Sequence, residues 1–435
     1  MIINFSVENF SSIKDRVTLS FEATRSDYLE EYYIVEPKKG LRLLKLGLIY
    51  GPNASGKTNI LKALTFLKLL VSRPLGKKTD VFRFEPFLFD RETPHRNTCF
   101  SIEFIQNGVK YLYNVELNRK AIVHEELFFY NPKKALVYER ETNMDSQVAE
   151  IRFGSKVKVS REHKAALEAN TLWNNTVLGG FLKTNLELKE LRNVSEWFNN
   201  KLKPIVMPRT DLFRYVAGGI EEGRINKQNV IEILKKADIR IADINIIKEI
   251  PVDERMLKSL QSLIPLEELE RVRKEQKIKE IKLKLLFFQH KVGGNFYTLP
   301  YDSESAGTQR YYQLAGLLDL VLRNEIVIPI DEIESSLHPD LIKHFLLTFL
   351  VNSKCSQLIA TTHFRELLME KNIFRTDVIW FTEIKSDGST DLYSLADFDS
   401  SVIRKASSIY NAYKIGKLGA VPNLDDYYLG SQDGS

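Results

Sequence analysis

Apolar and polar residues alternate through Ile2-Ile3-Asn4-Phe5-Ser6-Val7-Glu8-Asn9-Phe10 and again from Val17 to Phe21, a period of two that predicts a pair of strands. Leu46-Gly47-Leu48-Ile49-Tyr50 is apolar without alternation, as a strand buried on both faces of a sheet is. It runs straight into glycine. From Lys57 to Val71 the period lengthens, with Ile60, Leu61, Leu64, Leu67 and Leu70 at helical spacing, so this stretch reads as strand, glycine-bearing turn and helix. Between about residues 98 and 153 the pattern is strand-like again. There Phe100-Ser101-Ile102-Glu103-Phe104 and Tyr111-Leu112-Tyr113 flank a hairpin turn at Gln106-Asn107-Gly108.

From about Ser160 to Lys277 helical periodicity and rising charge density, ending in the run Leu266 to Lys277, predict an inserted helical domain or arm. Strand character returns at Ile281 to Phe288, turns at Gly293-Gly294, and continues through Phe296-Tyr297-Thr298-Leu299 before a helix near Glu304. Apolar runs at Ile326 to Ile330 and Gln357 to Thr361, each followed by a loop and helical periodicity, complete a pattern of parallel strands with crossover helices. The fold class is therefore α/β. The expected division is a first half over residues 1–155, a helical insertion over 156–278 and a second half over 279–435. Asp391, Asp397 and Asp399 fall in a short polar segment that reads as loop.

Composition narrows the class without choosing a function. The chain has 435 residues, 43% of them hydrophobic, which is globular material with enough apolar mass for a large core. No stretch approaches the roughly eighteen uncharged apolar residues of a membrane span, and no signal peptide opens the chain, so a cytoplasmic location and no membrane partner are expected. Cys99 and Cys355 stand far apart, with neither zinc-site spacing nor a disulfide framework. The formal charge of +5, from 62 basic and 57 acidic residues, suits nucleic acid no better than it suits plain solubility.

Chemistry enters at Gly51-Pro52-Asn53-Ala54-Ser55-Gly56-Lys57-Thr58, which matches G-x-x-x-x-G-K-[ST] in letters and in its strand-before, helix-after setting. Glycines let the backbone wrap phosphates, a helix N-terminus at Lys57 offers unpaired N–H groups, and the Lys57 ammonium neutralises the terminal phosphates. Thr58 would offer its hydroxyl to Mg2+. No guanine-reading N-K-x-D element stands at a strand end, which favours ATP. Later, Glu325-Ile326-Val327-Ile328-Pro329-Ile330-Asp331-Glu332 is an apolar strand ending in two carboxylates. Asp331 is expected to organise magnesium and Glu332 to hold the attacking water. Pro329 lacks the ladder N–H that a central strand requires there.

The loop with its trailing Asn59, the run Asp331-Glu332-Ile333-Glu334-Ser335-Ser336-Leu337-His338-Pro339, and Thr361-Thr362-His363 resemble the ABC-type P-loop ATPases of the group that includes RecF and SMC. More narrowly they resemble the bacterial RloA-like or AbiL-like ATPases, to which Glu8-Asn9-Phe10 and the segment Tyr413 to Pro422 also fit. The resemblance implies a mixed β lobe with a parallel-sheet, RecA-like core, and a head that pairs with a second copy around ATP. In such heads a serine-and-glycine signature meets the γ-phosphate of the partner. Ser305 and Gly307, within Ser303-Glu304-Ser305-Ala306-Gly307-Thr308 at the start of a helix, are similar to it, and His363 corresponds to the switch histidine. The resemblance further implies gating of a separate effector in anti-phage defence, and any TOPRIM-type nuclease is expected to be a partner protein. A second reading is an ATPase that clamps nucleic acid, with Lys227, Lys235, Lys236 and the run Arg271, Arg273, Lys274 as phosphate contacts.

Overall fold

The computed structural model describes residues 1–251, 282–370, 373–398 and 409–421. Along the chain the strands are β1 (Ile2–Glu8), β2 (Val17–Ser20), β3 (Ile34–Lys38), β4 (Leu41–Leu44), β5 (Leu46–Tyr50), β6 (Thr98–Gln106), β7 (Val109–Leu117), β8 (Ile122–Tyr130), β9 (Lys134–Asn143), β10 (Val148–Phe153), β11 (Ile241–Pro251), β12 (Lys282–Val292), β13 (Asn295–Pro300), β14 (Val327–Ile330), β15 (Gln357–Thr362), β16 (Ile379–Ile384) and β17 (Thr390–Ser394). The chain divides into two compact units. The first holds Met1–Arg209, Asn324–Ser335 and Thr348–Ser435, and the second Thr210–Arg323 and Ser336–Leu347.

Two sheets make up most of the first unit. A five-stranded core has the order β14-β15-β5-β16-β17, parallel except for the antiparallel last strand. Every residue of β5 and β15 is buried, as expected of strands flanked by others and covered on both faces, although β15 buries the polar Gln357, Thr361 and Thr362 along with its apolar residues. The second sheet, β10-β9-β8-β7-β6-β1-β2, is wholly antiparallel and shows the alternating burial of a lobe with one wet face. Its β6–β7 hairpin turns on Asn107 and Gly108, both left-handed as a two-residue hairpin turn requires.

The Lys57–Ser72 helix joins the two sheets. Ile60, Leu61, Leu64, Leu67 and Val71 are buried along it, and Phe66 meets Phe10, Phe84 and Phe100 at ring-centroid distances of 5.6, 5.1 and 5.7 Å. This aromatic cluster ties the helix that follows the phosphate loop to the antiparallel lobe.

Pro329 finds its explanation here. β14 is an edge strand of the core, not a central one, with β15 on one side and the segment 202–206 bridged loosely on the other. The Pro329 carbonyl accepts from Val206 N–H on that outer side. In a parallel ladder a residue's nitrogen and carbonyl face the same neighbour, so the missing N–H subtracts from the loose bridge and not from the β14–β15 ladder.

The segment expected to be helical over 156–278 carries helices at Arg161–Asn170, Val177–Phe181, Lys189–Glu196, Phe213–Glu221 and Lys227–Lys236, and then turns into β11. The charged run Leu266 to Lys277 lies outside the described residues. In the second unit β11, β12 and β13 form a three-stranded antiparallel sheet, with a Gly293-Gly294 turn at positive φ, followed by the Ala306–Arg323 helix. The expected loop around Asp391 is instead β17, and Asp397 closes a capping box with Ser394; Asp399 lies outside the described residues. Among the described residues no helix is long and apolar enough to cross a membrane.

Replacing Phe66 by Ala empties the ring cluster behind the phosphate-loop helix. A loss of about 3 kcal/mol of unfolding free energy is expected, read from urea unfolding of the variant against the wild type.

Candidate functional site: a phosphate loop facing two carboxylates

β5 delivers the chain into the loop and the Lys57–Ser72 helix carries it away, with Gly56 at φ +96° and Ala54 at φ +63° making the reversal. Glycine is dictated by space as well as by backbone angle. A Cβ on Gly56 would stand 2.0 Å from Thr390 Oγ1, and one on Gly51 would stand 2.4 Å from Thr382 Oγ1. Those two threonines belong to a brace behind the loop. Ser55 Oγ and Thr382 Oγ1 are 2.6 Å apart, Thr390 donates to the Ser55 carbonyl at 3.1 Å, and Ser12 Oγ lies 2.7 Å from Thr390 Oγ1 while accepting from Asn59 Nδ2 at 2.7 Å.

Lys57 is buried, and its ammonium donates to the carbonyls of Gly51 and Pro52, both at 2.9 Å, so the loop curls around its own lysine. Burial pulls this ammonium down to about 8, against the attraction of Asp331, Glu332 and Glu334. Thr58 Oγ1 sits 3.1 and 3.0 Å from the two oxygens of Asp331. Asp331 is 2% exposed and also accepts from Thr361 Oγ1 at 2.7 Å. The next residue, Glu332, takes a left-handed φ of +44°, strained for a residue with a side chain, and its N–H donates to the same Thr361 hydroxyl at 2.8 Å.

His363 follows β15. Its Nε2 is 3.9 Å from Glu332 Oε1, and its backbone N–H donates to Glu334 Oε1 at 2.5 Å. Burial first, and then the Lys57 charge, hold the imidazole below its ordinary value, outweighing the three carboxylates nearby. Loop residues 53–59, Glu332 and His363 line one cavity of about 170 Å³. A larger cavity of about 340 Å³, bordered by Met1, Pro37, Ile105, Lys201 and Cys355, has no comparable set of groups.

Residues 48–369 match the family described as "AAA domain, putative AbiEii toxin, Type IV TA system". The chain belongs to that AAA family. Among solved structures, this AAA chain is similar to the "SmcHead bound to the C-winged helix domain of ScpA", at 13% identity and TM-score 0.44, covering 90% of this chain and 97% of that one. It is also similar to the "SMC head domain from Thermotoga maritima", at 14% identity and TM-score 0.42, covering 90% and 98%. No curated protein matches it. Its architecture is the mixed α/β one of a P-loop ATPase, with the loop between core strand β5 and a helix and the two carboxylates at the carboxyl end of β14, separated from β5 by β15.

The first unit thus gathers residues 51–59, Asp331, Glu332 and His363 of the AAA chain in one place. Ser305 and Gly307 belong to the second unit. There Ser305 is exposed and caps the Ala306–Arg323 helix, accepting from Thr308 N–H at 3.1 Å. In the same unit Lys227 is held by Asp243 at 2.7 Å, and Lys236 pairs with Glu232. Arg271, Arg273 and Lys274 lie outside the described residues. Asn9 is fully buried, its amide bonding to Thr93 O and Arg96 O and accepting from Phe87 N–H, so it staples the end of β1 to that loop. Sequence reading did not find Ser12, Thr382, Thr390 or the work of Glu334, and no local spacing announces them.

Gly56→Ala adds both the clash with Thr390 and the wrong backbone angle. ATP binding is expected to weaken by at least about tenfold, equivalent to about 1.4 kcal/mol, in a titration followed by calorimetry.

Proposed function

We propose that the chain is a magnesium-dependent ATPase that closes into a homodimer around ATP and, through that cycle, gates a separate effector protein in the cytoplasm as part of bacterial anti-phage defence. The observation that carries this reading is the meeting of Lys57, Thr58, Glu332 and His363 at one cavity, with Asp331 held against Thr58. Lys57 is assigned to the phosphates, with the loop N–H groups and the helix N-terminus beside it. Thr58 and Asp331 present oxygen donors alone, the set a hard divalent cation takes, so the residues present fit Mg2+. Magnesium supplies neutralisation of charge on the phosphate oxygens. Glu332 is assigned to orient the attacking water and accept its proton, and His363 to hydrogen-bond the terminal phosphate.

Burial supports closure by a second copy. Lys57 and Asp331 are buried, whereas the Glu332 side chain is 44% exposed and that of His363 33% exposed, so the reacting end opens outward. The exposed Ser305 and its neighbour Gly307, at a helix N-terminus, are assigned to the phosphate held by the other copy.

Glu332→Gln keeps the side chain's shape and removes its capacity as a base. ATP turnover is expected to fall by about 10²–10⁴-fold, and a nucleotide-dependent dimer to accumulate in light scattering. Wild-type turnover in the variant, or a monomer at saturating ATP, would sink the proposal.

A further inference from the structure

Three hydrogen bonds stitch residues 332–334 to the end of β15 and the His363 that follows it, and the outermost comes from a side chain that the proposed chemistry does not use. Glu332 N–H reaches Thr361 Oγ1 at 2.8 Å, Ile333 N–H reaches Thr361 O at 3.1 Å, and Glu334 Oε1 accepts His363 N–H at 2.5 Å. The other oxygen, Glu334 Oε2, is buried and makes no hydrogen bond among the described residues. Leaving a buried acceptor unpaired costs stability, so a carboxylate here is expensive compared with an apolar side chain. Its charge is also felt at Lys57 and at His363, raising both against the pull of burial.

What the carboxylate achieves is geometric. Glu332 and Glu334 lie on one tight turn, closed by Ser335 N–H donating to the Glu332 carbonyl at 2.9 Å, with Glu332 forced to positive φ. One end of that turn carries the Glu332 side chain and the other grips the His363 backbone, while Glu332 Oε1 and His363 Nε2 face each other at 3.9 Å.

We propose that Glu334 is a positioning residue: by accepting the His363 amide it fixes where the imidazole stands relative to Glu332. The functional consequence rests on the ATPase reading given above; the contact itself does not. Misplacement by about 1 Å at a reacting centre costs about 10²-fold in rate, so a single lost acceptor is enough to matter.

The test compares wild type, E334A and E334Q by amide hydrogen exchange of nucleotide-free protein, melting temperature, ATP affinity and turnover. In E334A the His363 amide is expected to exchange at least about tenfold faster, and kcat to fall about 10²-fold with ATP affinity retained. E334Q, whose amide oxygen still accepts, is expected to keep both near wild type. The proposal is overturned if E334A leaves exchange and kcat unchanged, if E334Q falls as far as E334A, or if ATP affinity drops along with kcat. Should E334A not fold, E334D, one methylene too short to reach, decides in its place: lost protection at His363 supports the proposal and intact protection ends it. A wild type that never hydrolyses ATP would remove the ATPase reading, while exchange at His363 would still decide whether Glu334 holds that amide.

Discussion

Asp331 is a carboxylate that solvent barely reaches, and a charge in such a place survives only where hydrogen bonds replace its lost hydration. Two threonine hydroxyls do so, Thr58 from the first turn of the phosphate-loop helix and Thr361 from the end of β15. Three stretches of chain far apart in sequence are thereby held at one point. Thr361 serves twice, since its oxygen also accepts from the amide of Glu332 and so holds that residue in its left-handed conformation. The direction in which Glu332 points follows from the need to satisfy Asp331.

Behind the loop a second set of small hydroxyl residues works by exclusion. Thr382 and Thr390 crowd Gly51 and Gly56 so closely that neither position admits a Cβ, and their hydroxyls, with Ser12, bond the loop at Ser55 and Asn59. A loop braced this way keeps its N–H groups oriented without rearrangement, the preorganisation that lets fixed dipoles act on a charged ligand.

How much of this was legible in the sequence depends on range. β5, the loop and the following helix were readable because each obeys a short-range rule: an unbroken apolar run, a glycine spacing and a period near 3.6. Asp331 and Glu332 were readable because an apolar strand ended in two acids. The place of β14 in the sheet was not, since edge and centre differ only in what lies alongside, and Pro329 gave the one local sign of an edge. β17 reads as loop in the sequence because Thr-Asp-Leu-Tyr-Ser is mostly polar, and it sits on the antiparallel margin of the core. Its Thr390 reaches the site only through tertiary packing, as does Ser12, while Glu334 stands near Glu332 in sequence and only its hold on the His363 amide is tertiary. β11 was missed because charge density suggested continued helix where the chain in fact pairs with β12.

The brace behind the phosphate loop also sets an order of events during synthesis. Gly51 to Thr58 leave the ribosome before β16 and β17, which carry Thr382 and Thr390. Until those strands emerge the chain carries the full phosphate-binding motif without the residues that shape it. Contacts of such long sequence separation form late and slowly, because loop closure must precede the reward. Nucleotide would therefore stabilise a chain that already includes β16 and β17 and not a shorter nascent one, a built-in delay between making the motif and making it competent.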